Sequence, residues 1–187
     1  MAGVIAVTAG HGGIELDGFG WRRDPGAVAQ GYAEADLMAD LRDLVADVLR
    51  ARGQAVRTDG GRGINRALSH AMTLIAGARA AVELHTNASA NPSATGVEVV
   101  SAPAQKQLAQ HLAIEIANVL GLHVRGENGW IDESRTAVGA SGRRLGFVAR
   151  GGMIVETFFL TNPRDLAAYL ARRQDVARAI ARVLESA

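Results

Sequence analysis

Residues 4–13 read VIAVTAGHGG, a run of small and β-branched apolar residues that ends in glycines around a single histidine, His11. A short apolar run bounded by turn residues predicts a β-strand. The predicted strand presents His11 at its carboxyl end. Because open α/β sheets bind ligands outside the carboxyl ends of their strands, this stretch suggests both a fold class and a position for a functional site.

Strand-like and helix-like stretches alternate along the rest of the chain. Short runs rich in β-branched residues predict strands over residues 4–8, 55–58, 81–84, 97–101 and 153–157. Apolar residues at helical spacing predict helices over residues 32–52, 62–77 and 104–120, and from about residue 172 onward.

These stretches predict an α/β fold. We expect a single domain over residues 1–187, with a mostly parallel twisted sheet of about five or six strands and helices on both faces. Residues 12–31 and 121–151 are rich in glycine and polar residues and are predicted to be loops.

Composition excludes several classes of protein. A chain of 187 residues with 48% hydrophobic and 21% charged residues is typical of one soluble domain. A net charge of +1 argues against a nucleic-acid partner, and the lack of cysteine excludes disulfides and thiolate metal sites. The amino terminus resembles no signal peptide, so we expect synthesis in the cytoplasm and no stable membrane insertion.

Polar side chains follow other predicted strands as well. His85 lies in VELHTNAS (residues 82–89) and Glu156 in MIVETFFL (residues 153–160), each at the end of a strand. Together with His11, they are expected on one rim of the sheet.

Glu34 is the fourth candidate, because it lies in the middle of the apolar stripe of the first long helix. A carboxylate aimed at the core needs a cation or strong hydrogen-bond donors, and the amides of the helix amino terminus are one alternative. Asp24 in DPGA competes as a carboxylate ligand, although a turn explains that residue. Glu15 and Asp17 are further candidates to line the cleft.

These residues suit a metal-dependent hydrolase. Two histidines, one glutamate and an open fourth position form a known catalytic zinc arrangement, here His11, Glu34 and His85 around one Zn²⁺ ion. A second carboxylate that does not bind the metal can then act as the general base, and Glu156 fits that role. The phenylalanines after Glu156 would raise its pKa.

The chain resembles the zinc-dependent N-acetylmuramoyl-L-alanine amidases of the type 3 class. The resemblance runs in order through AGHGG, DPGAVAQGYAEADL, VELHTNAS, TGVEVVSAP and IVETFFLTNPRD, and so covers most of the chain. It implies that His11, Glu34 and His85 bind zinc and that Glu156 is the catalytic acid/base. The implied substrate is peptidoglycan, cleaved at the amide between N-acetylmuramic acid and L-alanine. The glycines beside His11 would then let a bulky substrate approach the metal.

The resemblance also suggests a biological role. Cell-separation amidases of this kind are usually exported, and they carry further wall-binding or inhibitory segments. Here we expect no separate wall-binding domain and no signal peptide, a pattern typical of a phage or prophage endolysin. Such a protein would be a monomer made in the cytoplasm that acts on the wall in the periplasm after release.

Substrate contacts and rival functions stay open at this point. Asn87, Arg143 and Arg144 are candidates to bind substrate, the two arginines through carboxylates of the peptide stem. One rival is a zinc peptidase or carboxypeptidase that acts on stem peptides with the same metal ligands. Another is a non-catalytic wall-binding protein of the same fold, which would be expected to lack Glu156 or a ligand.

Overall fold

A computed structural model describes residues 3–16 and 20–187, apart from the side chains of residues 14–16 and 20–22. The strands are β1 (Val4–Ala9), β2 (Gly12–Leu16), β3 (Gly20–Asp24), β4 (Val28–Ala29), β5 (Tyr32–Ala33), β6 (Val56–Thr58), β7 (Ala78–Asn87), β8 (Glu98–Ser101), β9 (Trp130–Asp132) and β10 (Met153–Phe159). The α-helices are α1 (Glu34–Ala51), α2 (Leu68–Thr73), α3 (Lys106–Leu120), α4 (Ala137–Ala140), α5 (Gly146–Ala149) and α6 (Pro163–Glu185).

Six strands form the central sheet, in the order β6-β1-β7-β10-β8-β9. β6, β1, β7 and β10 run parallel, β8 is antiparallel to β10, and β9 is parallel to β8. The predicted α/β fold with a mostly parallel sheet is confirmed. The parallel strands all present their carboxyl ends to one edge, so that side chains distant in sequence meet there.

Helices cover both faces of the sheet, as predicted, but unequally. The long helices α1, α3 and α6 pack on one face over a large core that includes Ile5, Val82 and Leu112. The short helices α2 and α5 cover the other face through a small cluster around Ala81 and Phe147. Because successive residues of a strand point to opposite faces, Glu83 and His85 of β7 lie on the same face as Ala81. We call this thinly covered face the site face.

The two regions predicted to be loops contain regular structure. Residues 12–16 and 20–33 form two antiparallel strand pairs, β2 with β3 and β4 with β5, outside the central sheet. These strands are short and contain no continuous apolar run, so the sequence pattern did not predict them. Residues 121–151 supply the edge strand β9 as well as α4 and α5.

Two helix boundaries also differ from the prediction. α6 begins at Pro163 rather than near residue 172, because the Asn162 side chain accepts a hydrogen bond from the Arg164 amide and Pro163 suits the first turn. α2 covers only residues 68–73 of the predicted 62–77. Its expected first residues instead form a turn around a buried arginine, which is described below.

The two ends of the described chain lie together. The Arg79 guanidinium at the start of β7 donates to the carbonyls of Gly3, Glu185 and Ala187. Val4 pairs with Ala78 at the same end of the sheet. This edge is opposite the carboxyl ends of β1 and β7. Among the described residues, no helix is both long and apolar enough to span a membrane.

Candidate metal centre and active site

His11 follows β1 in a left-handed backbone conformation, with φ of 62°. A non-glycine residue is strained there by about 1–3 kcal/mol and needs support from its surroundings. The Asn65 side-chain amide supplies it by donating to the carbonyls of Ala9 (2.6 Å) and His11 (2.7 Å). The Nδ1 atom of His11 lies 2.9 Å from Oδ2 of Asp24, so its Nε2 atom is left to face inward.

Glu34 is the first residue of α1 and is 3% exposed. Its Oε2 atom accepts from the Ala27 amide at 2.9 Å, and its Oε1 atom accepts from the Thr86 amide at 3.0 Å. The helix amide of Glu34 itself bonds to the Ala27 carbonyl instead of a capping side chain. The carboxylate therefore accepts from the amides of Ala27 and of Thr86 on β7 rather than from the first turn of its own helix, which was the alternative explanation for this residue.

His85 lies on β7 with its side chain 15% exposed, and both ring nitrogens face carboxylates. Nδ1 is 3.0 Å from Oε1 of Glu34, and Nε2 is 3.0 Å from Oε2 of Glu83. A histidine that binds metal commonly donates its other N–H to a carboxylate, which sets the tautomer. Glu83 holds His85 in this way, as Asp24 holds His11.

The free nitrogens of both histidines converge on Glu34. Nε2 of His11 lies 3.3 Å from Oε2, and Nδ1 of His85 lies 3.0 Å from Oε1. One ligand atom from each of the three residues lies within 4.8 Å of the others. Two imidazole nitrogens and a carboxylate oxygen, each histidine oriented by a further carboxylate, suit Zn²⁺. Asp24 is not in this group and instead orients His11.

Glu156 on β10 is paired in register with His85 on the adjacent strand and shares its face of the sheet. Its Oε2 atom is buried and has no hydrogen-bond partner among the described residues. Burial, together with the negative charges of Glu34 and Glu98, raises the pKa of Glu156 to about 7, although the charge of His85 works against this. A carboxyl group with a pKa near neutrality is suited to take up and release a proton.

The charges of the cluster favour a cation at its centre. Burial works to lower the pKa of His85, but hydrogen bonds to Glu34 and Glu83 raise it well above the usual value. Burial works to raise the pKa of Glu34, but His85 and the Ala27 amide hold it below its usual value. The Glu34 and Glu83 carboxylates thus favour positive charge on His85, and a divalent metal would supply positive charge at the centre of the cluster.

Glycines beside the site make room for the ligands themselves. A Cβ atom on Gly10 would lie 2.0 Å from Cε1 of His85, and one on Gly26 would lie 2.6 Å from the His11 ring and 2.7 Å from Oε2 of Glu34. A Cβ on Gly12 would meet the Asn65 side chain at 2.5 Å. The glycines were predicted to admit a bulky substrate. That explanation is wrong for Gly10 and Gly12, where side chains of the protein fill the space.

A buried arginine supports the loop that holds His11. Arg42 on α1 and Asp59 are both 0% exposed, and their side chains form an ion pair at 3.1 Å. The same guanidinium nitrogen donates to Oδ1 of Asn65 at 2.9 Å. Asn65 in turn donates to the His11 carbonyl, so one chain of hydrogen bonds connects α1 to the first candidate ligand.

Replacement of Arg42 by methionine is expected to lower the free energy of unfolding by about 3–5 kcal/mol, because Asp59 is left buried without its partner. Urea unfolding followed by circular dichroism measures this. The double variant Arg42→Met/Asp59→Leu should recover most of the loss, and Arg50→Met on the exposed side of α1 serves as a control. A single variant no less stable than the double variant would contradict the role of the ion pair.

The predicted substrate-binding residues are spread over the sheet. Asn87 ends β7, on the site face beyond His85, and its Nδ2 donates to Oε1 of Glu98 at 3.0 Å. Arg144 pairs with buried Glu133, and it lines with Arg143 a separate cavity of about 450 Å³. Substrate binding by Asn87, Arg143 and Arg144 stays a prediction.

A cavity lies beside the candidate ligands His11 and His85. It measures about 250 Å³ and is lined by Ala9, His11, Gly13, Asp24, Ala67, Leu68, Glu83 and His85. Sequence reasoning missed Glu83, although strand alternation places residue 83 on the same face as residue 85. Of the two minor candidates, Asp17 and the side chain of Glu15 lie outside the described part of the chain.

An α/β domain that gathers two histidines and two glutamates at one sheet edge has the groups of a hydrolase. Comparison with known proteins gives the family. A family model described as N-acetylmuramoyl-L-alanine amidase matches residues 5–186. A proposed N-acetylmuramoyl-L-alanine amidase from Neisseria meningitidis has a TM-score of 0.83 and 36% identity, over 98% of this chain and 94% of that one.

Two more distant structures show the same fold. The catalytic domain of an N-acetylmuramoyl-L-alanine amidase from Bacillus (Paenibacillus) polymyxa has a TM-score of 0.77 at 20% identity, over 100% of this chain and 97% of that one. An amidase from Mycobacterium smegmatis has a TM-score of 0.76 at 19% identity, over 100% and 99%. The comparison with curated proteins gave no match. The chain belongs to the N-acetylmuramoyl-L-alanine amidase family and is a peptidoglycan amidase.

Proposed function

We propose that the amidase is zinc-dependent and cleaves the amide between N-acetylmuramic acid and L-alanine, with His11, Glu34 and His85 holding one Zn²⁺ ion. The observation that carries this proposal is the convergence of His11 Nε2 and His85 Nδ1 on the Glu34 carboxylate. The second nitrogen of each ring is already held by Asp24 or Glu83. Zinc at such a site polarises a carbonyl and makes bound water more acidic.

Glu156 performs the proton transfers in this proposal. Its unpartnered Oε2 atom lies on the site face beside His85, where it accepts a proton from the attacking water. The same carboxyl group then gives that proton to the leaving amine of L-alanine. A pKa near 7 suits both steps, because neither protonation state is strongly disfavoured at neutral pH.

Removal of the metal is expected to abolish cleavage. Protein stripped with a chelator should release new L-alanine amino termini from purified peptidoglycan at least about 100-fold more slowly, and added Zn²⁺ should restore the rate, because in this proposal the metal polarises the scissile carbonyl. New amino termini and new reducing sugar ends are counted in parallel. Glu34→Gln should lose bound zinc and activity together, whereas Glu127→Gln, an exposed acid paired with Lys106, should lose neither.

The products also distinguish the rival functions. Release of free D-amino acids without new L-alanine termini would show a carboxypeptidase instead. Binding to the wall without any new termini, from folded and zinc-loaded protein, would show a non-catalytic wall protein.

We also propose, from the sequence expectation alone, that the enzyme serves as a phage or prophage endolysin on thin Gram-negative walls. Added from outside, it should clear a suspension of Gram-negative cells only after their outer membrane is permeabilised. Glu156→Gln protein should not clear the permeabilised cells. Equal clearing by the two proteins would contradict lysis by catalysis.

A further inference from the structure

Arg125 stands on the site face beyond Glu156, in a position that the mechanism does not use. Its Nε atom donates to Oε2 of Glu98 at 2.6 Å, and its guanidinium carbon lies 4.9 Å from the centre of the Phe159 ring. The side chain remains 39% exposed. Gly96 makes room for its stem, since a Cβ there would meet Cγ of Arg125 at 2.9 Å. Its Nη1 atom also donates to the Thr95 carbonyl at 3.4 Å, so the guanidinium is held in place while part of it remains open to solvent.

The position of Arg125 relative to the candidate metal centre follows from the sheet. Glu98, its partner on β8, is paired in register with Glu156 on β10, and Glu156 is paired with His85 on β7. Neighbouring strands lie about 4.8 Å apart, so Glu98 is about 10 Å from His85 across the site face. Arg125 therefore lies about two strands from the ligands, on the side of Glu156.

A stem peptide bound across this face would bring an acidic residue to Arg125. In bacterial stem peptides, L-alanine is followed by D-glutamate, whose α-carboxyl group is either free or amidated. An extended peptide advances about 3.3–3.6 Å per residue, so the second residue begins about 3.5 Å and ends about 7 Å from the L-alanine nitrogen of the scissile amide. Its α-carboxyl group lies at the far end of this span, and the remaining ~3 Å to the position of Glu98 is the length of one hydrogen bond.

The surroundings of this position make a cation necessary for an acidic substrate. Glu98 and Glu156 both carry carboxyl groups on the site face, and a further negative charge from the stem would be repelled by them. Arg125 supplies a positive charge beside this pair, through its ion pair with Glu98. Its planar fork suits paired hydrogen bonds to a carboxylate, and its fixed position reduces the entropy lost on binding.

We propose that Arg125 binds the free carboxylate of the second stem residue, so that the enzyme prefers peptidoglycan whose D-glutamate is not amidated. This inference rests on the proposed amidase function. It names Arg125 as a residue that determines specificity.

The test compares two small substrates, N-acetylmuramoyl-L-alanyl-D-glutamate and the same molecule with D-isoglutamine. The unaltered enzyme should favour the free acid at least about tenfold in kcat/KM, mainly through KM, as expected for one charge-assisted pair. Arg125→Gln should bring that ratio to within about twofold, and Arg125→Lys should keep an intermediate ratio. Arg178→Gln, at an exposed position on α6, should leave the ratio unchanged.

The ratio is measured within one protein, so a variant with a smaller folded fraction still reports it. If the unaltered enzyme cleaves both substrates equally, the role of Arg125 is overturned while the amidase function stands. If neither substrate is cleaved, the proposed function fails for these compounds. The role of Arg125 is then tested by calorimetric binding of the same two molecules. A preference for the acid that Arg125→Gln removes would still support the inference, and equal binding would overturn it.

Discussion

Replacement of Glu156 by glutamine is expected to lower kcat by about 10³-fold, within the range of 10²–10⁴ typical for loss of a general acid/base. Glutamine preserves the shape of the side chain but cannot take up the proton. Zinc content, measured by mass spectrometry, should be unchanged because Glu156 is outside the group of candidate ligands. Release of L-alanine termini gives the rate, and Glu127→Gln is the matched control for loss of one acidic charge.

The same variant should be more stable than the unaltered protein when both are metal-free at pH 8. The pKa of Glu156 is about 7 in the folded protein, above the unfolded value of 4.5. The folded protein therefore binds more protons between these pH values, and its stability falls as the pH rises through them. Glutamine carries no such charge, so we expect the free energy of unfolding of the variant to be higher by about 1–3 kcal/mol at pH 8 and unchanged at pH 4. For the activity prediction above, retention of more than a tenth of kcat by Glu156→Gln, or loss of its zinc, would contradict the role of Glu156 as the general acid/base.

Replacement of Gly10 by alanine should abolish tight zinc binding and activity through a single methyl group. The added Cβ would lie 2.0 Å from Cε1 and 2.3 Å from Nε2 of His85, so the ring must move. Because displacement of a reacting group by about 1 Å can cost about 10²-fold, we expect at least that loss in both zinc affinity and kcat/KM. Overpacking should also lower the free energy of unfolding by about 1–3 kcal/mol.

A matched glycine controls for the backbone. Neither Gly10 nor Gly61 has a left-handed φ, so alanine is tolerated by the main chain at both positions. A Cβ on Gly61 would meet nothing within 4 Å, and Gly61→Ala should therefore keep zinc affinity. Competition with a coloured chelator measures the affinity. If Gly10→Ala bound zinc within about threefold of the unaltered protein, the need for space beside His85 would be disproved.

The central sheet was predictable because its strands are continuous apolar runs, such as residues 4–8 and 153–157. Each run must be buried on both faces of the sheet, and such a run can be recognised in the sequence. The strand pairs β2 with β3 and β4 with β5 were missed because they lie outside the sheet and their sequences contain no such run. The start of α6 was missed although Asn162 and Pro163 form a recognisable cap, because the apolar stripe was read only from residue 172 onward.

The candidate site likewise contains residues that the sequence predicted and residues that it did not. His11 follows a strand, His85 and Glu156 lie near the carboxyl ends of theirs, and Glu34 interrupts an apolar stripe, so local patterns point to all four. Asn65 acts on a carbonyl 54 residues away. Its side-chain contacts depend on how separate elements pack, and no local spacing predicts them. Arg125 was missed for the same reason, since its partners are Glu98 and Phe159.

Arg79 donates to the carbonyls of both Gly3 and Ala187, which makes this domain suitable for fusion to other domains. Gly3 and Ala187 both lie at the edge of β1 and β7 that is remote from the candidate ligands. A wall-targeting module fused at either terminus would therefore be attached about 20 Å from the cleft, the length of a six-residue strand. A short linker that joins the two ends should likewise give circular permutants whose new termini can be placed in an exposed loop.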